Sequence, residues 1–355
     1  MLNILITGGA GYIGSHVVKQ LLETTNHQIV IVDNLSTGSQ TTIDKLFEIA
    51  KKLDKTSKLV FINADLKNFK DIKIIFQTDP FHPSENKPFD VLIHFAASIV
   101  VPESVENPTK YYMNNTVNTT HLIKCANDYG VKKMIFSSTA AVYGEPTNLN
   151  ISQIDETYPP NPINPYGYSK LMSEIVLKDT ANANENLKYV IFRYFNVAGA
   201  DIYYENNKLK PRIGQSFPNA THLIKIASEC ATNKREKMSI FGDDFNTHDG
   251  TGVRDYIHID DLASAHIEAI KYLDTNQSDT FNLGYGKGFS VKEVIETMKN
   301  VTNKNFKVDI TQKRAGDPAM LIANNSKILS KMNWKPKYND LGLICESAYL
   351  WEMGL

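Results

Sequence analysis

Thr7-Gly8-Gly9-Ala10-Gly11-Tyr12-Ile13-Gly14 is the stretch that decides the fold of this 355-residue chain. It follows the apolar run Leu2–Thr7 and opens an amphipathic segment, Ile13–Glu23. Gly8, Gly11 and Gly14 therefore fall in a strand-to-helix turn. Glycines there let the backbone turn tightly, approach a pyrophosphate and pack helix against strand. The helix N-terminus then presents its N–H groups to the anion. The next apolar run, Gln28–Asp33, ends in an acid. A carboxylate at that point can accept hydrogen bonds from adenosine ribose hydroxyls and repels a 2′-phosphate, so the expected cofactor is NAD rather than NADP. No lysine follows the glycines in the P-loop arrangement, which argues against a nucleoside triphosphatase.

Outward from this turn the same rhythm continues. Leu59–Asn63, Val91–His94, Lys133–Ser137 and Leu187–Tyr194 are short apolar or β-branched runs. Continuous runs of this kind suit parallel strands buried on both faces. Thr42–Leu53, Asp71–Thr78 and Pro108–Tyr129 are amphipathic segments between them. The alternation predicts an α/β protein built on a doubly wound parallel sheet, a Rossmann fold. After Asn196 the rhythm breaks. Asp201–Ala220 is polar, carries Asn206-Asn207 and Pro218-Asn219, and reads as a long loop. Further strands are expected at Val253–Ile257 and Thr280–Leu283, with helices at Asp260–Leu273 and Val291–Val301. The expected division is residues 1–195 as the NAD-binding Rossmann domain, with 247–285 returning to it. Residues 196–246 and 286–355 form a smaller α/β substrate domain.

Apolar residues make up 42% of the chain and charged residues 22%, with a net charge of -1 and no long run of one sign. This excludes a basic nucleic-acid or membrane-surface footprint. No apolar run is long enough to cross a bilayer. Cys125, Cys230 and Cys345 lack metal-ligand spacing, and no metal is expected. Three scattered thiols fit a reducing, cytoplasmic setting. The N-terminus enters a strand directly, without the pattern of a signal peptide.

A second constellation lies midway, in Pro165-Tyr166-Gly167-Tyr168-Ser169-Lys170. Tyr166 and Lys170 share a helical face at i, i+4, and Pro165 suits the start of that helix. A free phenol, with a pKa near about 10, is a poor base at neutral pH. A nearby ammonium favours the phenolate. Such a pair alone is an ordinary surface face; downstream of the glycine turn it points to proton transfer on an alcohol. Ser137-Ser138-Thr139 ends the fifth strand, at the edge of the sheet where open α/β proteins bind ligands.

With these strings on the page, the chain resembles the UDP-glucose (UDP-galactose) 4-epimerases among the extended short-chain dehydrogenase/reductases. The resemblance runs end to end, through Thr7–Ser15, Asp33-Asn34-Leu35, His94-Phe95-Ala96, Tyr111–Asn115, Phe136–Gly144, Tyr166–Lys170, Arg193–Ala200, Ile240-Phe241-Gly242, Asp249–His258 and Arg314–Asp317. It implies reversible C4 epimerisation of UDP-hexoses by transient oxidation to a 4-keto sugar, with NAD tightly bound. It also implies a homodimer formed through Pro108–Tyr129 and Tyr166–Lys178.

Residue by residue, the resemblance makes Tyr166 the acid/base, Lys170 its electrostatic partner and a nicotinamide-ribose ligand, and Thr139 the hydroxyl on the sugar. It places Gly8, Gly11, Tyr12, Ile13, Gly14, Asp33, Asn34, Asp65, Leu66, Phe95, Ala96, Ala97, Asn114 and Phe195 around NAD. It places Asn196, Ser239, Ile240, Phe241, Arg254, Tyr256, Arg314, Asp317 and Leu321 around the UDP-sugar, with Thr139 and Tyr166. Arg254 and Arg314 suit a diphosphate, which guanidinium binds in bidentate fashion.

Three positions depart from the family pattern. Ile99 stands where many members carry Lys, and His222 where an Asn is common. Leu321 stands where glucose-restricted members carry Tyr, which leaves room for an N-acetyl group and implies UDP-GlcNAc/UDP-GalNAc as further substrates. The rival enzymes are a 4,6-dehydratase and a UDP-glucuronate epimerase or decarboxylase. A dehydratase carries acids after its catalytic Thr, where this chain has Ala140 and Ala141. A non-catalytic NAD sensor is the rival of another class; Tyr166 and Lys170 argue against it.

Overall fold

The computed structural model describes residues 1–78, 80–81, 89–146, 152–217, 221–314 and 317–355. Pro218-Asn219 of the polar segment, and positions 315 and 316 beside Arg314, lie outside them. The chain forms two compact units. Unit 1 comprises Met1–Val142, Pro162–Arg193 and Ala263–Phe281, and unit 2 comprises Tyr143–Asn161, Tyr194–Leu262 and Asn282–Leu355. The returning segment is thus shorter than 247–285, and 143–161 joins the second unit instead of the first. The polypeptide crosses between units five times, which periodicity does not reveal.

The large sheet carries β1 (Asn3–Thr7), β2 (Gln28–Asp33), β3 (Leu59–Asn63), β4 (Val91–His94), β5 (Lys133–Thr139), β6 (Lys188–Tyr194) and β12 (Asp279–Leu283). Its order is β12-β6-β5-β4-β1-β2-β3. The pairs β1–β2, β2–β3, β1–β4 and β4–β5 are parallel. Helices α1 (Tyr12–Thr24), α2 (Gln40–Lys52) and α3 (Phe69–Gln77) occupy the expected amphipathic segments. One face of the sheet buries Leu5, Val30, Val32, Leu92, Phe136 and Ile191 with Ile72, Phe76 and Leu122. Ile4, Ile6, Ile31 and Ile93 alternate with them and are equally buried, as a strand with period two requires when both faces are covered.

The strand order reverses between β1 and β4, where Thr7 lies opposite His94. Crevices for ligands open at such a switch point, and the glycine turn begins there.

Pro108–Tyr129 is not one helix. It comprises α5 (Pro108–Tyr111), a π-helical turn (Tyr112–Val117) and α6 (Asn118–Asp128), and a short α4 (Val101–Glu106) precedes it. Helix α7 (Pro165–Ala183) starts where Asn164 caps it, its side chain accepting from the Gly167 N–H at 2.9 Å, with Pro165 in the first turn.

In unit 2, β11 (Val253–His258) pairs in parallel with β7 (Asn196–Ala198) and β15 (Met320–Leu321), and antiparallel with β13 (Gly288–Ser290). β10 (Lys237–Phe241) pairs with β14 (Lys307–Thr311). Helices α8 (Leu223–Ala231), α10 (Val291–Thr302) and α12 (Leu341–Gly354) pack on one another. α10 opens with a reciprocal cap, Ser290 on the Glu293 N–H and Glu293 on the Ser290 N–H. The expected long loop contains a small hairpin, β8 (Tyr204–Glu205) and β9 (Lys208–Leu209), turned by Asn206 and Asn207 at φ 52° and 60°. Asparagine tolerates that left-handed conformation better than most residues. Two further helices are α9 (Ile259–Thr275) and α11 (Ser326–Lys331).

Candidate active site

The glycine turn in unit 1 is a cradle that only glycine fits. Gly8 has φ +76°, and a Cβ on it would lie 2.5 Å from the Ala96 nitrogen. A Cβ on Gly14 would lie 2.3 Å from the Gly8 carbonyl oxygen. The turn therefore lies flat against Phe95-Ala96-Ala97 at the end of β4, with α1 starting at Tyr12 and Ile13. Asp33 closes the far side. Its carboxylate accepts from the N–H of Ala10 at 3.0 Å and of Leu35 at 2.8 Å. Burial pushes its pKa up and the two N–H donors pull it down; burial prevails. Asn34 donates to Asp65 at 3.0 Å, and Leu66 beside it enters the core. Asn114 donates to the Ser98 hydroxyl at 3.1 Å from the π-helical turn. Such turns recur at functional sites. The unit thus brings Gly8, Gly11, Tyr12, Ile13, Gly14, Asp33, Asn34, Asp65, Leu66, Phe95, Ala96, Ala97 and Asn114 to the C-terminal ends of four strands and the adjoining π-helical turn. Phe195 falls in unit 2, its N–H donating to the Leu283 carbonyl at 3.2 Å. Ile99 is exposed.

Tyr166, Thr139 and Lys170 are also assembled in unit 1. A Cβ on Gly167 would lie 2.7 Å from the Ala141 carbonyl oxygen, so the first turn of α7 rests directly on the end of β5. That approach lets the Tyr166 hydroxyl share a hydrogen bond with Thr139. Tyr111 meets the Tyr166 ring edge-on, 6.3 Å between centroids. Lys170 is 4% exposed. Its Nζ donates to the Ser137 carbonyl at 2.7 Å and lies 4.9 Å from the centroid of Phe136.

The electrostatics differ from the expectation. Burial raises the Tyr166 pKa above its ordinary value, and the opposing influence is the Thr139 hydrogen bond, not Lys170. Lys170 directs one of its N–H groups to Ser137 and is itself buried, which pushes it down to about 7.

Unit 2 assembles most of the remaining residues across neighbouring strands. Tyr256 lies opposite Asn196, and Arg254 opposite Leu321. Positions i and i+2 of a strand share a face, as do paired residues. Asn196, Tyr256, Arg254 and Leu321 therefore line one face. Arg254 donates to the Val253 carbonyl at 2.9 Å. Burial pulls its pKa down and Asp317 counters this. Ser239, Ile240 and Phe241 run along β10, and the Arg314 guanidinium stacks 3.5 Å from the Phe241 centroid. Asp317 donates its N–H to the Arg314 carbonyl at 3.4 Å. His222 bonds Gln215 at 2.9 Å and lines, with Asn196, Tyr256 and Lys225, a cavity of about 30 Å³.

The sequence reading missed one group. Glu174, fully buried, accepts from the Ser138 hydroxyl at 2.5 Å, from Arg193 Nε at 3.0 Å and Nη2 at 2.7 Å, and from Lys178 at 3.2 Å. Its signal was present, since Tyr166, Lys170 and Glu174 fall at i, i+4, i+8.

A glycine cradle at the switch point, followed by a Tyr–Thr pair beside a buried Lys, fits a known family. Residues 4–284 match the model of the NAD dependent epimerase/dehydratase family. The chain belongs to this family. A UDP-glucose 4-epimerase of Halalkalibacterium halodurans is 42% identical over 98% of this chain and 95% of its own length. A solved structure of the UDP-Glc/GlcNAc 4-epimerase from Campylobacter jejuni is 52% identical, covers both chains fully and has a TM-score of 0.82. A UDP-glucose-4-epimerase from Stenotrophomonas maltophila, solved with NAD and formylated UDP-arabinopyranose, is 33% identical over 100% of this chain and 98% of its own, with a TM-score of 0.88.

Proposed function

We propose that this protein is a UDP-hexose 4-epimerase that interconverts UDP-glucose with UDP-galactose and UDP-GlcNAc with UDP-GalNAc. The observation that carries the reading is the hydroxyl pair of Tyr166 and Thr139, with the Lys170 ammonium on the same helix, downstream of a cofactor cradle. The cradle fits NAD. Its glycines leave the space a Cβ would fill, α1 offers N–H groups to a pyrophosphate, and Asp33 offers acceptors to ribose hydroxyls. NAD, when bound, supplies oxidation and then reduction at sugar C4.

The protein's own residues move the proton and hold the sugar nucleotide. Tyr166 takes the proton of the 4-hydroxyl and returns it to the product. Thr139, bonded to the phenol, shares that proton's path. Burial holds the phenol high and Thr139 counters it in the resting site; in the reaction the positive charge that phenolate needs is assigned to protonated Lys170, four residues on along the same helical face. Arg254 and Arg314 hold the diphosphate, Ser239, Ile240 and Phe241 the uracil side, and Asn196, Tyr256 and Asp317 complete the UDP grip. With UDP held by these residues, the sugar itself is left free to turn over, so that either face of C4 could be presented to bound NAD. Leu321, beside Arg254 in register, is short enough to admit an N-acetyl group; the 52% identity to an epimerase named for both sugar types supports this. Ala140 and Ala141 carry no proton-transferring group, which disfavours the dehydratase reading.

The working unit is a homodimer in the cytoplasm. Tyr168, Met172 and Ile175 form an exposed apolar stripe on α7, with Val105 and Met113 also exposed. The three cysteines are free and buried, as suits a reducing compartment. No helix among the described residues is long and apolar enough to cross a membrane.

The test is to incubate the protein separately with UDP-Gal and UDP-GalNAc, without reductant, and follow the anomeric protons by NMR. Conversion of both supports the full reading. Conversion of UDP-Gal alone removes the acetylated pair, and conversion of neither, with NAD present, overturns it.

A further inference from the structure

Glu174 lies one helical turn past Lys170 on α7, and Ser138, which bonds it, lies between the Lys170 partner Ser137 and the Tyr166 partner Thr139. We propose that Glu174 is a positioning residue: it locks α7 onto the end of β5 and keeps a negative charge beside the Lys170 ammonium.

The geometry argues this in two steps. First, Glu174 joins three elements. It accepts from Ser138 on β5 and, through both oxygens, from Arg193 on β6, while it is carried on α7. A planar fork of this kind fixes direction as well as distance. The phase of α7 on β5 is what brings Tyr166 to Thr139 and Lys170 to Ser137. Second, Lys170 is nearly surrounded by neutral groups. The Ser137 carbonyl and the Phe136 ring meet its head. His94 on β4 is held neutral, burial pushing it down to about 3, with its ring nitrogens on Thr7 and Thr119. Tyr166 on the same helix is a neutral phenol in the ground state. Arg193 and Lys178 are cations, both engaged by Glu174. Glu174 is the carboxylate that favours the charged form of Lys170, against a burial that has pushed it down to about 7. Without it, less of Lys170 carries charge at neutral pH, and Tyr166 loses the cation that steadies its phenolate.

This role rests on the epimerase reading for its consequence, but its test does not need turnover. The probe is an NMR titration of protein carrying ε-¹³C-lysine, the Lys170 resonance being assigned by its absence in Lys170→Met. In Glu174→Gln the Lys170 midpoint falls by about half a unit or more, since a buried neighbouring charge acts at that scale. A merely structural role moves it the other way, because a loosened site hydrates Lys170 and raises its midpoint. Glu174→Gln also removes the carboxylate that Arg193 engages through both nitrogens, so Glu174→Gln with Arg193→Met is measured beside it; that variant removes both charges of the pair, and its midpoint falls by less. An unchanged or raised midpoint in the folded variants overturns the proposal. Turnover by the wild-type sample tests the epimerase reading separately.

Discussion

Replacing Lys170 by Met should stabilise the fold at neutral pH while ending catalysis. Lys170 is 4% exposed, and burial pushes it from 10.5 down to about 7. The folded value lies below the unfolded one, so protonation opposes folding. That loss is absent above about pH 10.5, builds as the pH falls and is complete below about pH 7. At about 1.4 kcal/mol per unit, it reaches roughly 4 kcal/mol at pH 7 and about 1.4 kcal/mol at pH 9.5. Methionine of similar length removes it. The substitution also removes the contact with the Phe136 ring, about 1 kcal/mol, and the hydrogen bond to the Ser137 carbonyl, about 1 kcal/mol. The net expectation is a gain of about 2 kcal/mol at pH 7 that shrinks to near zero at pH 9.5, where the folded Lys170 is already neutral and the ring contact has lost its cationic part. Urea titrations of both proteins at the two pH values measure it, if the slopes match. A variant less stable than wild type at pH 7, or a difference that does not change with pH, would refute the reasoning.

Tyr166→Phe should lose turnover by about a thousandfold or more yet melt within a few degrees of wild type; retained activity in an NMR turnover assay would remove Tyr166 from the proton path. Gly14→Ala places a Cβ 2.3 Å from the Gly8 carbonyl, so it should destabilise the protein by about 2 kcal/mol and abolish NAD retention, read by absorbance of the released cofactor. Leu321→Tyr should keep conversion of UDP-Gal and lower that of UDP-GalNAc at least about tenfold, the scale of a steric mismatch in a pocket; equal losses on both would show that Leu321 only packs. Ile175→Glu puts a charge into the exposed stripe of α7 and should shift the protein to monomer in sedimentation velocity, whereas an unchanged dimer would place the interface elsewhere.

The parallel sheet was legible because buried strands leave continuous apolar runs. Six of its seven strands have the expected bounds to within one residue, β5 runs two residues further, and the glycine turn lies where its spacing put it. Four features were not legible, because they depend on residues far apart, on a shift of one residue or on strands too short to leave a pattern. Pro108–Tyr129 has helical periodicity throughout, and a π-helical turn inserts a residue without changing composition. The hairpin within 201–217 is two residues per strand, below what alternation can register, although Asn206-Asn207 was its turn signal. Arg254, Tyr256, Asn196 and Leu321 share a face only because β11 is flanked by strands from 196 and 321. Resemblance, not spacing, grouped them beforehand. The Lys170 environment escaped for the same reason: the i, i+4 rule puts it beside Tyr166, while Ser137, whose carbonyl accepts its hydrogen bond, comes from another element.

The interleaving of the two units has a consequence for biosynthesis. The large sheet has β12 at its edge, next to β6, yet β12 begins at Asp279 while β6 ends at Tyr194. The ribosome adds about 5–20 residues per second, so the interval between those strands lasts roughly 4–17 seconds. During it β6 presents an unpaired edge in a nascent chain, the kind of template that recruits foreign strands. A factor that shields nascent edges should therefore raise the yield of this protein more than one that acts on the finished chain, and a slow codon run placed between 195 and 278 should lower it.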